Sequence, residues 1–357
     1  MMIRTLLALA LALCAQLVAA QANKYNVGVY YFPGWADGQK GAEFPLPWEK
    51  IKPYPEREPK LGWYKEGSDD VMRQQIDWMA DYGITFVAYD WYWGKDSKVF
   101  LEHAIAAHMR APNRDRVKIS LLWANHDGVP SSRDNFERMV TYWVKYYFPR
   151  PEFLRVDGKP VVFVFYADFL KADAAKFGAT TKELLDSAQA IARQNGLPGI
   201  YFVAGTGAGS PMIDSYAKES GYSALSAYNL HQGLYSSVMS HSYPELDKAY
   251  QEHWSRFIAK GNLPTIVPMT SGWDKRPWGG SKDSLHDLSV SNATQFEAHL
   301  NAAKAAMDTA KPGSPKMGVI CCWNEFGEGS YIEPTKKDGF SYLCLLYTSD
   351  AADERSS

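Results

Sequence analysis

The sequence predicts an α/β chain of one domain, a (β/α)8 (TIM) barrel. Eight short apolar, β-branched and aromatic runs alternate with segments of helical period, most runs are continuously hydrophobic, and 357 residues suit such a barrel as one unit. The strands are expected at 27–32, 85–90, 118–123, 161–165, 201–204, 224–228, 265–269 and 318–323. Continuous runs of this kind belong to parallel strands covered on both faces. Between them, Thr180 with Glu183 and Thr294 with Glu297 read as capping boxes, Pro244 suits a first helical position, and Asn195-Gly196 and Gly261 mark stops. Met72, Ile76 and Met79 share one helical face, as do Leu246, Tyr250 and Trp254. An open doubly wound sheet is the alternative architecture, but no glycine-rich phosphate loop follows the first strand. In its place Tyr30-Tyr31-Phe32-Pro33-Gly34-Trp35 leads into a long Pro-, Trp- and Tyr-rich loop reaching about Gly67, expected to cover one mouth of the barrel.

Composition narrows the partners. Hydrophobic residues make 46% of the chain and charged ones 22%, enough to bury a core, and 38 basic against 40 acidic residues leave a formal charge of −2 with no long run of either sign. That balance argues against nucleic acid held through its phosphates. The 22 Tyr, 16 Phe and 12 Trp concentrate where strands end, and flat apolar faces with polar rims suit sugar rings.

Both ends read as segments outside the fold. Residues 1–22 have the charge, apolar stretch and small-residue end of a secretory signal peptide, with cleavage after Ala20 or Ala22, so an exported, periplasmic or extracellular protein without stable membrane association is expected. Cys14 is no lipidation site on this reading, because Leu13 precedes it where a small residue is needed. Residues 344–357 resemble the translated end of a transposase adapter and are read as an artificial tail, leaving 23–343 as the barrel with its last helix truncated. Of the four cysteines, Cys321 and Cys322 remain for the fold; neighbours on a strand face opposite ways, so they are expected to pack as small apolar groups without a disulfide. No Cys or His pairs stand at metal-ligand spacing, and no cofactor is implied.

The chemistry concentrates in Cys322-Trp323-Asn324-Glu325-Phe326-Gly327-Glu328-Gly329-Ser330-Tyr331-Ile332-Glu333-Pro334, at the carboxyl end of the eighth strand, the catalytic face of a barrel. Gly327 and Gly329 permit a sharp turn that brings Glu325 and Glu328 into one pocket. Glycoside chemistry needs such a pair of carboxyl groups in different protonation states; solvated loop charges are the plain alternative. Asp90-Trp91-Tyr92-Trp93 closes the second strand, with Asp90 as a sugar-hydroxyl acceptor beside the stacking wall of Trp91, Tyr92 and Trp93, of which Trp91 and Trp93 join the expected substrate-binding set. His126 after the third strand can bond substrate, orient a carboxylate or sit satisfied in its loop. Tyr166, Tyr228 with His231, and Trp273 fall at the same rim, and Tyr31, Trp35, Asn324 and Glu333 complete the expected substrate-binding set. A hydrolase, a non-catalytic glycan binder and a glycosyltransferase all stay open on these residues.

The run at 30–35, Pro47-Trp48, Leu61-Gly62-Trp63-Tyr64, the run at 90–93 and the Trp-Asn-Glu-x-x-Glu-Gly core with Ile332-Glu333-Pro334 resemble the WbsX-like relatives of glycoside hydrolase family 99 over about 26–343. The resemblance implies a (β/α)8 barrel cleaving α-mannosidic linkages with retention. It implies Glu325 as base on the sugar's own 2-hydroxyl, giving an anhydro-sugar, and Glu328 as general acid and then general base for water. Phe326-Gly327 stands where the characterised hydrolases carry a Trp-His pair, and Phe32-Pro33-Gly34-Trp35 where they carry Ser-Trp-Tyr, so the sugar itself is left open.

Overall fold

The computed structural model describes residues 25–39, 45–126 and 128–351. The expected signal segment lies outside them. Eight parallel strands form the barrel: β1 (Asn26–Tyr31), β2 (Phe86–Trp93), β3 (Lys118–Trp123), β4 (Lys159–Val164), β5 (Tyr201–Gly205), β6 (Ala224–Ser226), β7 (Val267–Thr270) and β8 (Met317–Cys321). Their order is β6-β5-β4-β3-β2-β1-β8-β7, each neighbour parallel. The ring closes between β6 and β7 through a single bridge, Leu225 with Thr265, where Leu225 N donates to Pro264 O (2.8 Å) and Ile266 N to Leu225 O (2.9 Å). All eight expected strands are present, and closure removes the open-sheet alternative.

A helix follows each strand, as short crossovers between parallel strands require. The longest after β1, β3, β4, β6 and β7 are Asp69–Asp81, Arg133–Tyr146, Thr181–Gln194, Tyr243–Lys260 and Ala293–Thr309. Met72, Ile76, Met79, Leu246, Tyr250 and Trp254 are all buried toward the sheet. The Thr180–Glu183 capping box forms. The other expected box is displaced: Asn292 caps its helix, its side chain accepting from Gln295 N (3.0 Å) while Gln295 Oε1 accepts from Asn292 N (3.1 Å). Asn caps at least as well as Thr, so the helix starts two residues earlier in the chain. After β8, Ser341–Ala351 is helical, with Leu343 and Leu346 buried.

Two cores result. Tyr30, Phe86, Phe163, Tyr201, Val203 and Val319 fill the barrel, while a larger layer between strands and helices holds Trp91, Trp123, Trp143 and Trp323. The two cysteines depart from expectation. The Cys321-Cys322 peptide is cis, which brings the Cα atoms to 2.9 Å and turns both side chains into the barrel, where the sulfurs are joined as a disulfide. Alternation failed there because it assumes a trans peptide.

The loop after β1 forms a third cluster. Trp35 is 0% exposed, stacked on Trp48 (4.3 Å between centroids) and Trp278 (5.8 Å) and edge-on to Phe326 (5.6 Å). The loop thus packs behind the turn that follows β8. Replacing Trp35 by Ala should remove about 3–5 kcal/mol of stability, the usual cost of a buried Trp. Thermal unfolding checks this; an unchanged midpoint with only a weaker substrate affinity would contradict the packing role.

Candidate active site

Strand pleat decides which aromatic residues can reach the mouth of the barrel. On β2 the even positions Phe86 and Ala88 face the interior and the odd positions Val87, Tyr89 and Trp91 face the helices. Asp90 and Tyr92 therefore continue the inward row to the carboxyl end. The same parity sends Tyr30 inward and Tyr31 outward on β1, and brings Ala224 and Tyr228 inward on and after β6.

Past β8 the chain makes a small antiparallel hairpin, Asn324–Glu325 against Ser330–Tyr331, whose turn is closed by Glu328 N donating to Glu325 O (3.1 Å). Two glycines are required. A Cβ on Gly327 would lie 1.9 Å from the Trp278 ring, and Gly329 has φ +69° with its Cα side against the Asp274 backbone. The hairpin is held from every side. Asn324 clamps the backbone of Phe32 with both amide atoms (2.9 and 3.0 Å), Trp35 Nε1 donates to Asn324 O (2.9 Å), and Asp274 N donates to Glu328 O (2.6 Å). Buried Arg57 donates to Phe326 O (2.6 Å) and pairs with the Asp274 carboxylate.

This anchoring fixes Glu325 in a carboxyl cluster. The Tyr228 hydroxyl lies 3.1 Å from Glu325 Oε1 and 3.2 Å from Asp90 Oδ2, joining β2, the β6 loop and the β8 hairpin. One hydroxyl hydrogen cannot serve two carboxylates at once. Burial, and secondarily the nearby Glu328 charge, raises the Asp90 carboxyl well above its ordinary value against the opposing pull of Tyr228. Burial thus favours the protonated form of Asp90 more than an exposed carboxyl would allow, and the Tyr228 hydroxyl between Asp90 and Glu325 couples the two groups. Glu325 is 6% exposed, whereas Glu328 is more open and lines the cleft. The two glutamates thus share one cluster in unlike surroundings.

The cleft is a cavity of about 610 Å³ walled by Phe165, Tyr166, Tyr228, His231, Trp273 and Glu328 among others. Its residues come from the carboxyl ends of β4 through β8, the face where barrel enzymes carry their sites. His126 sits at the same mouth with its ring against Tyr92 (5.8 Å) and Phe165 (5.9 Å). The Tyr166 backbone is set by two hydrogen bonds to the Asn125 amide, its O accepting from Asn125 Nδ2 (2.9 Å) and its N donating to Asn125 Oδ1 (2.9 Å). No cluster of three or more metal-ligating side chains occurs among the described residues.

Of the expected site residues, Glu325, Glu328, Asp90, His126, Tyr166, Tyr228 and Trp273 gather here. Six others do not. Tyr31 lies under the helices and donates to Gln75 Oε1 (3.2 Å); Trp91 faces outward and donates to the Tyr147 hydroxyl (2.9 Å); Trp93 stacks on Trp91 (5.6 Å). Trp35 and Asn324 are the packing and clamp described above. Glu333 is 2% exposed behind the hairpin, accepting from Tyr64 (2.9 Å) and Gln75 (3.1 Å). The pleat explains the first three, because a run of aromatics at a strand end has only alternate members on the cleft side. Phe165 is the cleft aromatic that reading missed, and of the stacking wall at 91–93 only Tyr92 lies on the inward row, against His126; counting parity from Phe86 and Phe163 is the signal that finds both.

Burial raises the Glu333 carboxyl from 4.5 to about 8, with the Tyr64 and Gln75 bonds opposing the rise. The folded state then binds this proton more tightly than the unfolded chain. The contribution to stability is complete below about pH 4.5 and is lost as pH rises through about 8. Glu333→Gln should flatten that loss, so melting curves from pH 5 to 9 should converge at low pH and separate at high pH, with the variant more stable; parallel curves would contradict the assignment.

The fold and site can be set beside known proteins. The family model described as Glycosyltransferase WbsX matches residues 52–346. Uncharacterized protein WxcX of Xanthomonas campestris pv. campestris is 24% identical over 305 residues, 79% of this chain and 41% of that protein, so the chain spans about two fifths of that relative's length. A solved glycoside hydrolase-like protein superposes with a TM-score of 0.66 at 17% identity, over 91% of this chain and 93% of its own. The GH99 endo-alpha-mannosidase from Bacteroides thetaiotaomicron superposes at 0.62 with 14% identity, over 93% and 98%. At these identities the superpositions speak for the fold, a TIM barrel like those of glycoside hydrolases. With more than half its length matched by the family model, the chain belongs to the WbsX glycosyltransferase family.

Proposed function

We propose that the chain is a retaining glycoside hydrolase acting on an oligosaccharide or polysaccharide, with Glu325 as base and Glu328 as general acid and base. The observation that carries this reading is the Asp90–Tyr228–Glu325 chain beside the cleft-facing Glu328, because two carboxyls in unlike surroundings can hold unlike protonation states. Glu328 in its acid form gives its proton to the leaving oxygen as the glycosidic bond breaks. Glu325 takes the proton of the sugar's 2-hydroxyl, whose oxygen bonds to the anomeric carbon. Water then opens this anhydro-sugar, giving a proton to Glu328, while Glu325 returns its own to the 2-oxygen. Two inversions at one carbon leave the configuration retained.

Family membership alone suggests glycosyl transfer. A nucleotide-sugar donor would bring a diphosphate, yet no Lys or Arg is among the described residues lining the cavity, whereas Glu328 lines it together with Tyr228, the hydroxyl partner of Asp90 and Glu325. An exported location, proposed from residues 1–22, fits hydrolysis as well, since it separates the chain from nucleotide sugars. An α-mannoside is the first substrate to test, given the solved endo-alpha-mannosidase on the same fold.

Incubation with α-mannan and related polysaccharides, followed by product-length analysis, should show cleavage without nucleotide sugar. Glu325→Gln and Glu328→Gln should each lower the rate at least ~10²-fold while glycan binding persists, the scale of one acid or base group. Transfer from a nucleotide sugar, with no cleavage of glycan alone, would replace hydrolysis by the family's named activity. Tyr228→Phe should lower turnover as well, and should shift its pH dependence because Asp90 loses its hydroxyl partner.

A further inference from the structure

We infer that His231 is a substrate-reading residue, a hydrogen-bond acceptor held in one tautomer by His286 and presented to a sugar hydroxyl in the cleft. The inference rests on the glycan reading of that cleft and adds a specificity determinant to it.

The chain of bonds has only one consistent direction. His286 is 1% exposed, and its Nδ1 lies 2.8 Å from Ser240 O and 3.0 Å from Ser240 Oγ. A carbonyl oxygen only accepts, so Nδ1 carries the hydrogen. Ser289 Oγ donates to the same carbonyl (3.2 Å) and also meets Ser240 Oγ (2.9 Å), which lets Ser240 Oγ accept from His286 as well. In a neutral ring Nε2 is then a bare acceptor. His231 Nδ1 stands 3.1 Å from it and must be the donor. That leaves His231 Nε2 with a lone pair and no hydrogen.

Surroundings hold both rings neutral. Burial lowers His231 to about 3, with His286 and Lys275 adding to the fall, and burial lowers His286 too, against the backbone bond to Ser240 and the charges of Asp287 and Asp283, with His241 on the lowering side. His231 lines the cavity with Glu328 and packs edge-on to Trp273 (4.2 Å), beside an indole also stacked by His286 (5.5 Å). A ring acceptor next to an indole is a combination suited to a sugar, which offers a hydroxyl and an apolar face. His253, also on the cavity wall, differs: Ala208 N donates to its Nδ1 (2.9 Å) and its Nε2 donates to Gln232 O (3.1 Å), so both nitrogens are committed.

Two measurements test this on the full chain. Long-range 1H–15N spectra of the histidine-labelled protein should show His231 with Nδ1 protonated and Nε2 bare throughout pH 5–8; the opposite tautomer, or titration within that range, overturns the lock. Methyl α-mannoside, α-glucoside and α-galactoside are then titrated into Glu325→Gln protein with and without a second change at His231. His231→Asn keeps a donor for His286 but loses the cleft acceptor, and should weaken the bound glycoside about tenfold, the worth of one hydrogen bond. His231→Gln, whose amide reaches the Nε2 position, should recover most of it. In otherwise wild-type enzyme His231→Asn should raise KM and leave kcat nearly unchanged. Unimpaired binding by His231→Asn overturns this proposal alone. Absence of binding to any glycoside or to α-mannan overturns the glycan reading together with it.

Discussion

The site depends on one hydroxyl hydrogen. Tyr228 stands between two carboxyl groups that are 138 and 97 residues away from it in sequence, and it reaches both only because β2, β6 and β8 belong to one closed ring. If the β6–β7 seam opened, the inward row of β6 would no longer face the end of β2. The distances that couple the two carboxyls are therefore consequences of barrel closure. A buried carboxyl with a raised pKa, a phenol and a second carboxyl form a coupled series around Glu325, while Glu328 stands more open to the cleft, and this difference in surroundings is what separates the two glutamates chemically.

Rigid support surrounds that series. The hairpin after β8 is clamped by Asn324 below, by the Trp35 and Trp278 indoles behind, and by Arg57 and Asp274 at its turn. None of these groups reaches the cavity through its own chemistry. Their effect is to hold backbone, and so to fix where Glu325 and Glu328 point, which is the preorganisation that acid–base catalysis requires. It also explains why the motif around the glutamates is richer than two acids: most of its members hold the turn.

On the cleft side the walls are uneven. Tyr166, Phe165 and Tyr228 make an aromatic side from β4 and β6, while Trp273 and His231, the latter backed by buried His286, make another side that Glu328 also lines. A lining that includes Glu328 and, among the described residues, no lysine or arginine suits a neutral ligand better than a phosphorylated one, which is why the hydrolytic reading is proposed within a family named for transfer. On the proposed reading, substrate recognition falls to stacking faces and to acceptors of fixed tautomer, groups that act through geometry and not through net charge.

Much of this was legible in the chain itself. Eight hydrophobic runs with helical segments between them determined a parallel sheet with helical crossovers, because each run must be covered on both faces and each parallel link needs a crossover, while closure into a ring was decided by the bridge of Leu225 with Thr265. The glutamates after the eighth run could be singled out because barrel sites sit at that end of the strands. What only the tertiary structure decided was facing and pairing. Trp91 and Tyr92 are adjacent aromatics, and pleat phase alone makes one core and the other cleft; Glu333 looks like a third acid of the motif, yet the hairpin turns it into a buried, proton-holding partner of Tyr64 and Gln75. His231 and His286 lie 55 residues apart, and nothing local marks them as a pair. The physical reason is common to all three cases: hydrophobic pattern is a property of neighbouring residues, whereas the orientation of a polar side chain is set by partners that the closed ring brings from elsewhere.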